Sequence, residues 1–127
     1  MPASLAQKFQ FKPGQKILVL NAPTGYAERL AKELKDNTVA WRASGRFDGV
    51  VLFINNLAQL NKHAAKAFKA IPPDGLVWIA YPKGASKIKT DVNRDSLWQT
   101  LEPLGWAGVR LIALDETWSV MRFKRTV

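Results

Sequence analysis

The alternation of short apolar runs with helix-period segments constrains the fold of this chain more than any other feature. Four apolar runs are typical of strands that are buried on both faces of a sheet, at residues 17–20, 50–54, 76–81 and 109–114. A shorter strand is predicted at residues 38–42. Because strands and helices alternate, the pattern predicts an α/β protein with a mostly parallel sheet, right-handed crossovers and helices on both faces.

Three segments have the spacing of amphipathic helices. Their apolar positions recur at i, i+3, i+4 and i+7, which predicts one buried face for each helix. The third helix is expected to begin after Asn93 as N-cap and to end at Gly105. The side chains expected to be buried are Ala27, Leu30, Ala31 and Leu34 in the first helix, Leu57, Leu60, Ala64, Phe68 and Ile71 in the second, and Leu97, Trp98, Leu101 and Leu104 in the third.

The last two strands differ from the rest of the pattern. Only Asp115 and Glu116 separate the run at 109–114 from the strand predicted at 117–124. Two residues cannot span a crossover, so these strands are expected to form an antiparallel hairpin.

Composition limits the chemistry that the chain can perform. A chain of 127 residues is expected to form a single domain, residues 1–127. It has no cysteine and only one histidine, His63, which excludes disulfides, thiolate metal sites and cysteine nucleophiles. Without an apolar run long enough for a membrane span or a secretory signal, a cytoplasmic location is expected. The formal charge of +9 favours phosphates, other polyanions or acidic partner surfaces.

Several stretches resemble a known family. KPGQKILVLNAPTG resembles the first motif of the S-adenosylmethionine-dependent class I methyltransferases, RFDGVVLFINN their fourth strand, and IPPDGLVWIAYPKG their fifth. The resemblance covers nearly the whole chain, with one helix and one strand missing after the second strand, and it implies a Rossmann-like fold. NAPTGY, YPKGASKIKTDVNRDSLW and DETWSVMRF are more specifically similar to a small bacterial family of unknown function with a methyltransferase-like fold. That likeness implies no established activity.

The turn after the first strand departs from the methyltransferase pattern. Laid over that pattern, Val19 stands at the acidic position, and Asn21, Pro23 and Gly25 stand at the glycine positions. Pro23 removes an N–H donor and adds a rigid ring where the ligand would lie. Residues 41–44 read WRAS where an acid for the ribose is expected. We therefore expect no cofactor, and no binding of S-adenosylmethionine in the manner of the family.

Two interpretations of this turn remain open. It is a tight strand-to-helix connection in which Thr24 caps the helix, or it binds a different, anionic ligand. In the second case the unpaired N–H groups around Gly25 and Tyr26 would hold the anion at the helix N-terminus.

A basic loop follows the strand at 76–81. Loops at the carboxyl end of an open α/β sheet form its ligand crevice, and this one carries four cations and one acid, Asp91. The alternative is a solvated loop in which Asp91 caps locally and pairs with Arg94. Trp118 follows the hairpin turn and is predicted to lie over the crevice as a stacking surface. The candidate ligand-binding residues are Asn21, Thr24, Gly25, Tyr26, Lys83, Ser86, Lys87, Lys89, Arg94 and Trp118.

Three functions compete at this point. The first is a protein without methyltransferase activity that binds an anionic small molecule or a partner protein at the carboxyl edge of the sheet. The second is a divergent methyltransferase or nucleotide-using enzyme, in which Arg42 would meet a phosphate; it needs a nucleophile or base that the sequence does not supply. The third is nucleic-acid binding through the Lys62, Lys66 and Lys69 face of the second helix, which no RNA-binding signature or helix-turn-helix spacing supports. Asn55 and Asn56 are interpreted as a helix cap and His63 as a partly exposed surface residue.

Overall fold

Strands and helices alternate along the chain as predicted. The computed structural model describes residues 9, 11–23, 25–34, 36–42, 45–69, 71, 75–83, 90–114 and 117–126. The strands are β1 (Lys16–Leu20), β2 (Thr38–Ala40), β3 (Gly49–Phe53), β4 (Leu76–Pro82), β5 (Trp106–Ala113) and β6 (Trp118–Arg125). The helices are α1 (Tyr26–Glu33), α2 (Leu57–Lys69) and α3 (Arg94–Leu101), and a 3₁₀ turn, Glu102–Leu104, follows α3.

The strands form one sheet in the order β2-β1-β3-β4-β6-β5. β2, β1, β3 and β4 run parallel to one another, whereas β6 runs antiparallel to both β4 and β5. The predicted mostly parallel sheet with a C-terminal antiparallel hairpin is therefore confirmed. The hairpin enters the sheet with β6 inside, so β5 is the edge strand.

Helices cover both faces of the sheet, as the alternation predicted. α1 packs on one face, together with Phe9 and Phe11 from the segment before β1, and α2 and α3 pack on the other. The core side chains from the helices and the α1 C-cap are Leu30 and Leu34 on the first face and Leu60, Ala64, Ala67, Phe68, Leu97 and Leu101 on the second. Within the described ranges, no helix is long and apolar enough to cross a membrane.

α3 begins as predicted and ends earlier. Asn93 is the N-cap: its side chain accepts a hydrogen bond from the Ser96 N–H at 2.8 Å, and the Ser96 hydroxyl accepts one from the Asn93 N–H at 2.8 Å. The helix ends at Leu101 because Pro103 cannot continue it, and Gly105 closes the 3₁₀ turn with a φ of 89°.

Burial at the hairpin end differs from the prediction in two places. The strand at 109–114 was expected to be buried on both faces, but β5 is largely exposed because it lies at the sheet edge. Trp98 and Leu104 were expected in the core, yet they are 38% and 63% exposed. The 3₁₀ turn changes the angular spacing of side chains after Leu101, so Leu104 leaves the buried face.

Gly49 permits a close approach between β3, β4 and the segment before β1. A Cβ at this position would lie 2.8 Å from Cε1 of Phe11 and 3.2 Å from the backbone oxygen of Leu76. The Phe11 ring is buried and the Leu76 carbonyl belongs to the sheet, so neither can retreat freely. We expect Gly49→Ala to lower the free energy of unfolding by about 1 to 3 kcal/mol in urea denaturation.

The added variant Phe11→Leu tests the cause of that loss. Because leucine has no atom at the ring edge, the double variant should lose less than the sum of the two single losses. Additive losses would show that the ring contact is not the origin of the strain.

Candidate functional site

The carboxyl edge of the sheet is where the strand topology places a crevice. β1 pairs with β2 on one side and with β3 on the other, so the chain leaves β1 and β3 in opposite directions. Ligands of open α/β sheets bind outside the carboxyl ends of the strands at such a switch point. The residues nearest to it follow Leu20 in β1 and Phe53 in β3.

Asn21 bridges this switch point. Its backbone has a φ of 60°, a left-handed conformation that asparagine tolerates better than most residues. Its amide Nδ2 donates hydrogen bonds to the Phe53 carbonyl at 2.8 Å and to Gln59 Oε1 at 3.1 Å. Gln59 Oε1 also accepts from the Asn55 N–H at 2.7 Å. These bonds, here called the Asn21 bridge, tie the end of β1 to the end of β3 and to α2.

The N-terminus of α2 has its own polar partners. Asn56 Oδ1 accepts a hydrogen bond from the Gln59 N–H at 2.9 Å, which confirms the predicted cap. Asp91 Oδ1 accepts from the Leu57 N–H at 2.8 Å, so a carboxylate from the β4–α3 connection occupies this helix end. The solvated-loop alternative paired Asp91 with Arg94, but Arg94 Nε lies 3.9 Å from Asp95 Oδ1 instead, on the surface.

The N-terminus of α1 begins at Gly25. This residue is the N-cap, has a φ of 90° and offers no side chain for capping. The Tyr26 N–H donates to the Pro23 carbonyl at 3.0 Å. The predicted cap, Thr24, lies outside the described residues. Val19 is 1% exposed and belongs to the core on the α1 face.

Three aromatic rings close the carboxyl edge on the α1 face. The Trp118 ring centroid lies 5.3 Å from that of Phe53 and 6.1 Å from that of Tyr26, both edge-on. Tyr26 and Phe53 are 5.7 Å apart. The sequence placed Trp118 over the crevice as a stacking surface, but its side chain is only 2% exposed. It points toward α1, where the other two rings cover it, so it cannot stack on a ligand.

The basic loop is only partly described. Ser86, Lys87 and Lys89 lie outside the described residues. Lys83 is partly exposed at the end of β4, where its N–H donates to the Thr117 carbonyl at 2.8 Å. Arg94 is exposed at the first position of α3. Lys83 and Arg94 thus lie before and after the loop that follows β4, and their part in a ligand site stays a prediction.

Tyr81 is a polar group at this edge that the sequence interpretation missed. Burial raises the pKa of Tyr81 above its ordinary value of 10.0, and the positive charge of Arg94 lowers it in part. The phenol therefore stays protonated at neutral pH and remains a hydrogen-bond donor beside a guanidinium. One sequence signal could have identified Tyr81: it is the last aromatic residue of an apolar strand and comes shortly before the basic loop.

The described residues offer no metal centre. Among them, no three His, Asp or Glu side chains come together in a group that could hold a metal ion.

Several solved structures resemble this chain over most of its length. The chain is similar to DhpI in its complex with SAH, with a TM-score of 0.64 and 14% identity over 98% of this chain and 83% of DhpI. It is also similar to a SAM-dependent methyltransferase from Aquifex aeolicus, with a TM-score of 0.63 and 13% identity over 94% of this chain and 86% of that one. A ribosomal protein L11 methylase from Lactobacillus delbrueckii subsp. bulgaricus gives a TM-score of 0.61 and 13% identity over 95% and 74% of the two chains.

Sequence comparison adds no family. No protein-family model matches the chain, and no curated protein matches it in sequence. Identities near these values show the fold alone, because one fold supports many functions. The chain thus has a methyltransferase-like Rossmann fold.

Proposed function

We propose that this chain is a methyltransferase-like protein without methyltransferase activity, which binds an anionic small molecule at the carboxyl edge of its sheet. The Asn21 bridge carries the proposal. In a cofactor loop, glycines let a ligand approach the backbone closely, since no Cβ stands in the way. Here an asparagine side chain crosses that space and is hydrogen-bonded to Phe53 and Gln59.

Opening the bridge has a cost that a ligand would have to offset. Each hydrogen bond contributes about 0.5 to 1.5 kcal/mol net; the bond to Gln59 is exposed and the bond to the Phe53 carbonyl is partly buried. Val19 adds no carboxylate that could compensate by binding a ligand hydroxyl or amine. These observations support a site that no longer accommodates an adenosyl cofactor in the family manner.

Three described groups favour an anion at the same edge. Tyr81 supplies a protonated phenol, Arg94 a guanidinium and Lys83 an ammonium. Asp91 is the opposing charge at this edge, and its Oδ1 accepts a hydrogen bond from the Leu57 N–H at the start of α2. Ser86, Lys87 and Lys89 belong to the same loop and would extend the site. Charge-assisted hydrogen bonds to a phosphate or carboxylate are among the stronger ones in proteins.

A divergent methyltransferase is the second candidate. The observation that favours it is the fold similarity to DhpI, which is known in complexes with SAH and with SAM. This candidate requires that the Asn21 bridge open when the cofactor binds. The two candidates therefore differ in one measurable property, which is the affinity for S-adenosylmethionine.

We expect millimolar S-adenosylmethionine to leave the melting temperature unchanged, because on this proposal the Asn21 bridge would have to break before the cofactor could bind. A ligand present at about 100 times its Kd would stabilise the fold by about 2.7 kcal/mol and raise the melting temperature by several degrees. The measurement is a thermal-shift screen with S-adenosylmethionine, nucleotides and simple oxyanions side by side. Stabilisation by an oxyanion or nucleotide alone supports the proposal. A micromolar Kd for S-adenosylmethionine in calorimetry would instead establish the second candidate.

The salt dependence of the affinity distinguishes a small-ligand site from nucleic-acid binding. A protein that neutralises several phosphates of a polyanion loses affinity steeply as salt rises, because counterions are released on binding. A site for one small anion responds weakly to salt. Binding of an oligonucleotide with a steep salt slope would assign the basic residues to nucleic acid.

A further inference from the structure

A groove lies between α2 and α3 on the face opposite to α1. It has a volume of about 330 Å³, which is at the small end of the range of ligand sites. The residues that line it come from both helices, the 3₁₀ turn and the two strands of the hairpin: Leu60, Asn61, Ala64, Ala65, Phe68, Lys69, Thr100, Leu101, Leu104, Trp106 and Arg125.

This groove is far from the carboxyl edge. Trp106 pairs with Arg125 across the hairpin, and Phe123, two residues earlier, pairs with Val77 near the amino end of β4. The seven residues of β4 span about 20 Å between that end and Pro82. The groove is therefore a second concavity, independent of the site assigned to the anion above.

The floor of the groove is aromatic and apolar. Phe68 from α2 lies against Trp106 from β5, with ring centroids 4.4 Å apart and ring planes inclined by 34°. Leu101 and Leu104 form the wall on the α3 side, and Leu104 is among the most exposed large apolar side chains described. Both rings are nearly buried, 8% and 5% exposed, so a ligand would contact only a small part of each, and the exposed Leu104 supplies the larger apolar surface.

Two cations stand at the rim above this floor. Lys69 comes from the end of α2, and Arg125 comes from the end of β6. The guanidinium carbon of Arg125 lies 5.3 Å from the Trp106 ring centroid. Within the part of the chain that the structure describes, neither cation forms an ion pair. A hydrogen bond between Thr126 N–H and the Gly105 carbonyl, at 2.9 Å, holds the ends of β6 and β5 together beneath them.

We propose that this groove binds a small aromatic anion, one or two rings carrying a single carboxylate or sulfonate. The rings lie against Leu104 and the small part of the Phe68 and Trp106 surfaces that lines the groove, and the anionic group meets Lys69 and Arg125. The volume selects a small molecule over a protein segment, since a stable protein interface buries about 1,600 Å² and would extend far beyond the groove. The unpaired cations select an anion over a neutral ring.

The test uses two fluorescent probes that differ in charge. 1-Anilinonaphthalene-8-sulfonate has one ring more than the proposed ligand and the same single anionic group, and N-phenyl-1-naphthylamine has the same three rings without the sulfonate. Titration of the folded protein, followed by probe fluorescence and by quenching of tryptophan emission, gives a Kd for each. We expect the sulfonate to bind at least about tenfold more tightly than the neutral probe, from one charge-assisted hydrogen bond.

Two matched double variants locate the charge effect. Lys69→Gln with Arg125→Gln removes both rim cations. Lys62→Gln with Lys66→Gln removes the same charge from the exposed outer side of the same helix. The first pair should weaken sulfonate binding by about 10- to 100-fold and leave the neutral probe unchanged. The second pair should change neither. Equal weakening by both pairs would overturn the proposal, because the affinity would then follow net charge alone.

A third variant tests the groove itself. Ala65 lines it from an exposed position of α2, so Ala65→Trp should fill it without disturbing the core. We expect this variant to lose binding of both probes while keeping its melting temperature, and to keep any oxyanion response at the carboxyl edge. Undiminished probe binding overturns the proposal. So does a concentration-dependent dimer in sedimentation that Ala65→Trp abolishes, because the groove would then receive a second copy of the chain.

Discussion

Replacing Lys87 and Arg94 together by alanine is expected to weaken binding of a phosphate or carboxylate ligand by about one to three orders of magnitude. Each charge-assisted hydrogen bond contributes about 1.5 to 3 kcal/mol, and about 1.4 kcal/mol corresponds to a factor of ten in affinity. Arg94 is exposed beside Tyr81 at the carboxyl edge, and Lys87 belongs to the loop that precedes it. The measurement is calorimetric titration with the oxyanion or nucleotide that gives the largest thermal shift.

Folding should change little in this double variant. The Arg94–Asp95 ion pair is exposed at 3.9 Å, and exposed pairs contribute under about 1 kcal/mol. The matched control replaces Lys62 and Lys66 by alanine, which removes the same charge from α2 and should leave the affinity nearly unchanged. Equal affinities of the Lys87/Arg94 variant and the unmodified protein would contradict the prediction. They would support the alternative, in which the loop is solvated and binds no ligand.

Trp118→Ala should produce the largest loss of stability among the substitutions considered. Truncating a buried tryptophan removes its hydrophobic transfer energy and leaves a cavity, which costs about 3 to 5 kcal/mol. Two edge-on contacts, with Phe53 and Tyr26, are lost as well. Because the free energy of unfolding of natural domains is about 5 to 15 kcal/mol, this loss should leave the variant only marginally stable. Urea denaturation, followed by far-UV circular dichroism, measures the loss.

Trp41→Ala is the control for that experiment. Trp41 follows β2 and is 43% exposed, so its truncation should cost far less than that of Trp118. Similar losses for the two tryptophans would show that the ring of Trp118 is not enclosed. That result would reopen its interpretation as a stacking surface for a ligand.

The topology followed from short-range features of the sequence. The buried runs around Val51 and Trp78 were read from their composition, because strands covered on both faces contain little else than apolar residues. The two residues between β5 and β6 forced a hairpin, since no crossover is that short. Asn93 and Gly105 marked the start and end of the α3 region, because each position requires a specific backbone or side-chain geometry.

The position of each strand within the sheet could not be predicted from these sequence features. The run around Leu111 was predicted as an inner strand although it contains Arg110, and β5 lies at the edge, where Leu111 is exposed. The order of the last two strands depends on which of them pairs with β4, and periodicity carries no information about pairing. Trp98 was assigned to the core because helical periodicity does not show which strands a helix covers. A helix beside an edge strand has less sheet to cover, so Trp98 is exposed.

The site was predictable in location but not in its hydrogen bonds. The carboxyl edge followed from the topology rule, and Asn21 and Arg94 lie there. The Asn21 bridge joins residues 32 and 38 positions apart in the chain, and no local pattern reports such a contact. Thr24 and Lys87, which the sequence also assigned to the site, remain predictions.

The inner position of β6 has a consequence for how the protein is synthesised. β4 can pair on one side with β3 as soon as both have left the ribosome, but its other side waits for residues 118–125. Until then a long apolar strand presents an unpaired edge, and such edges invite association with other chains. Completion of the sheet must therefore follow translation of β6, so that the nascent chain depends on rapid closure or on chaperone cover during that interval.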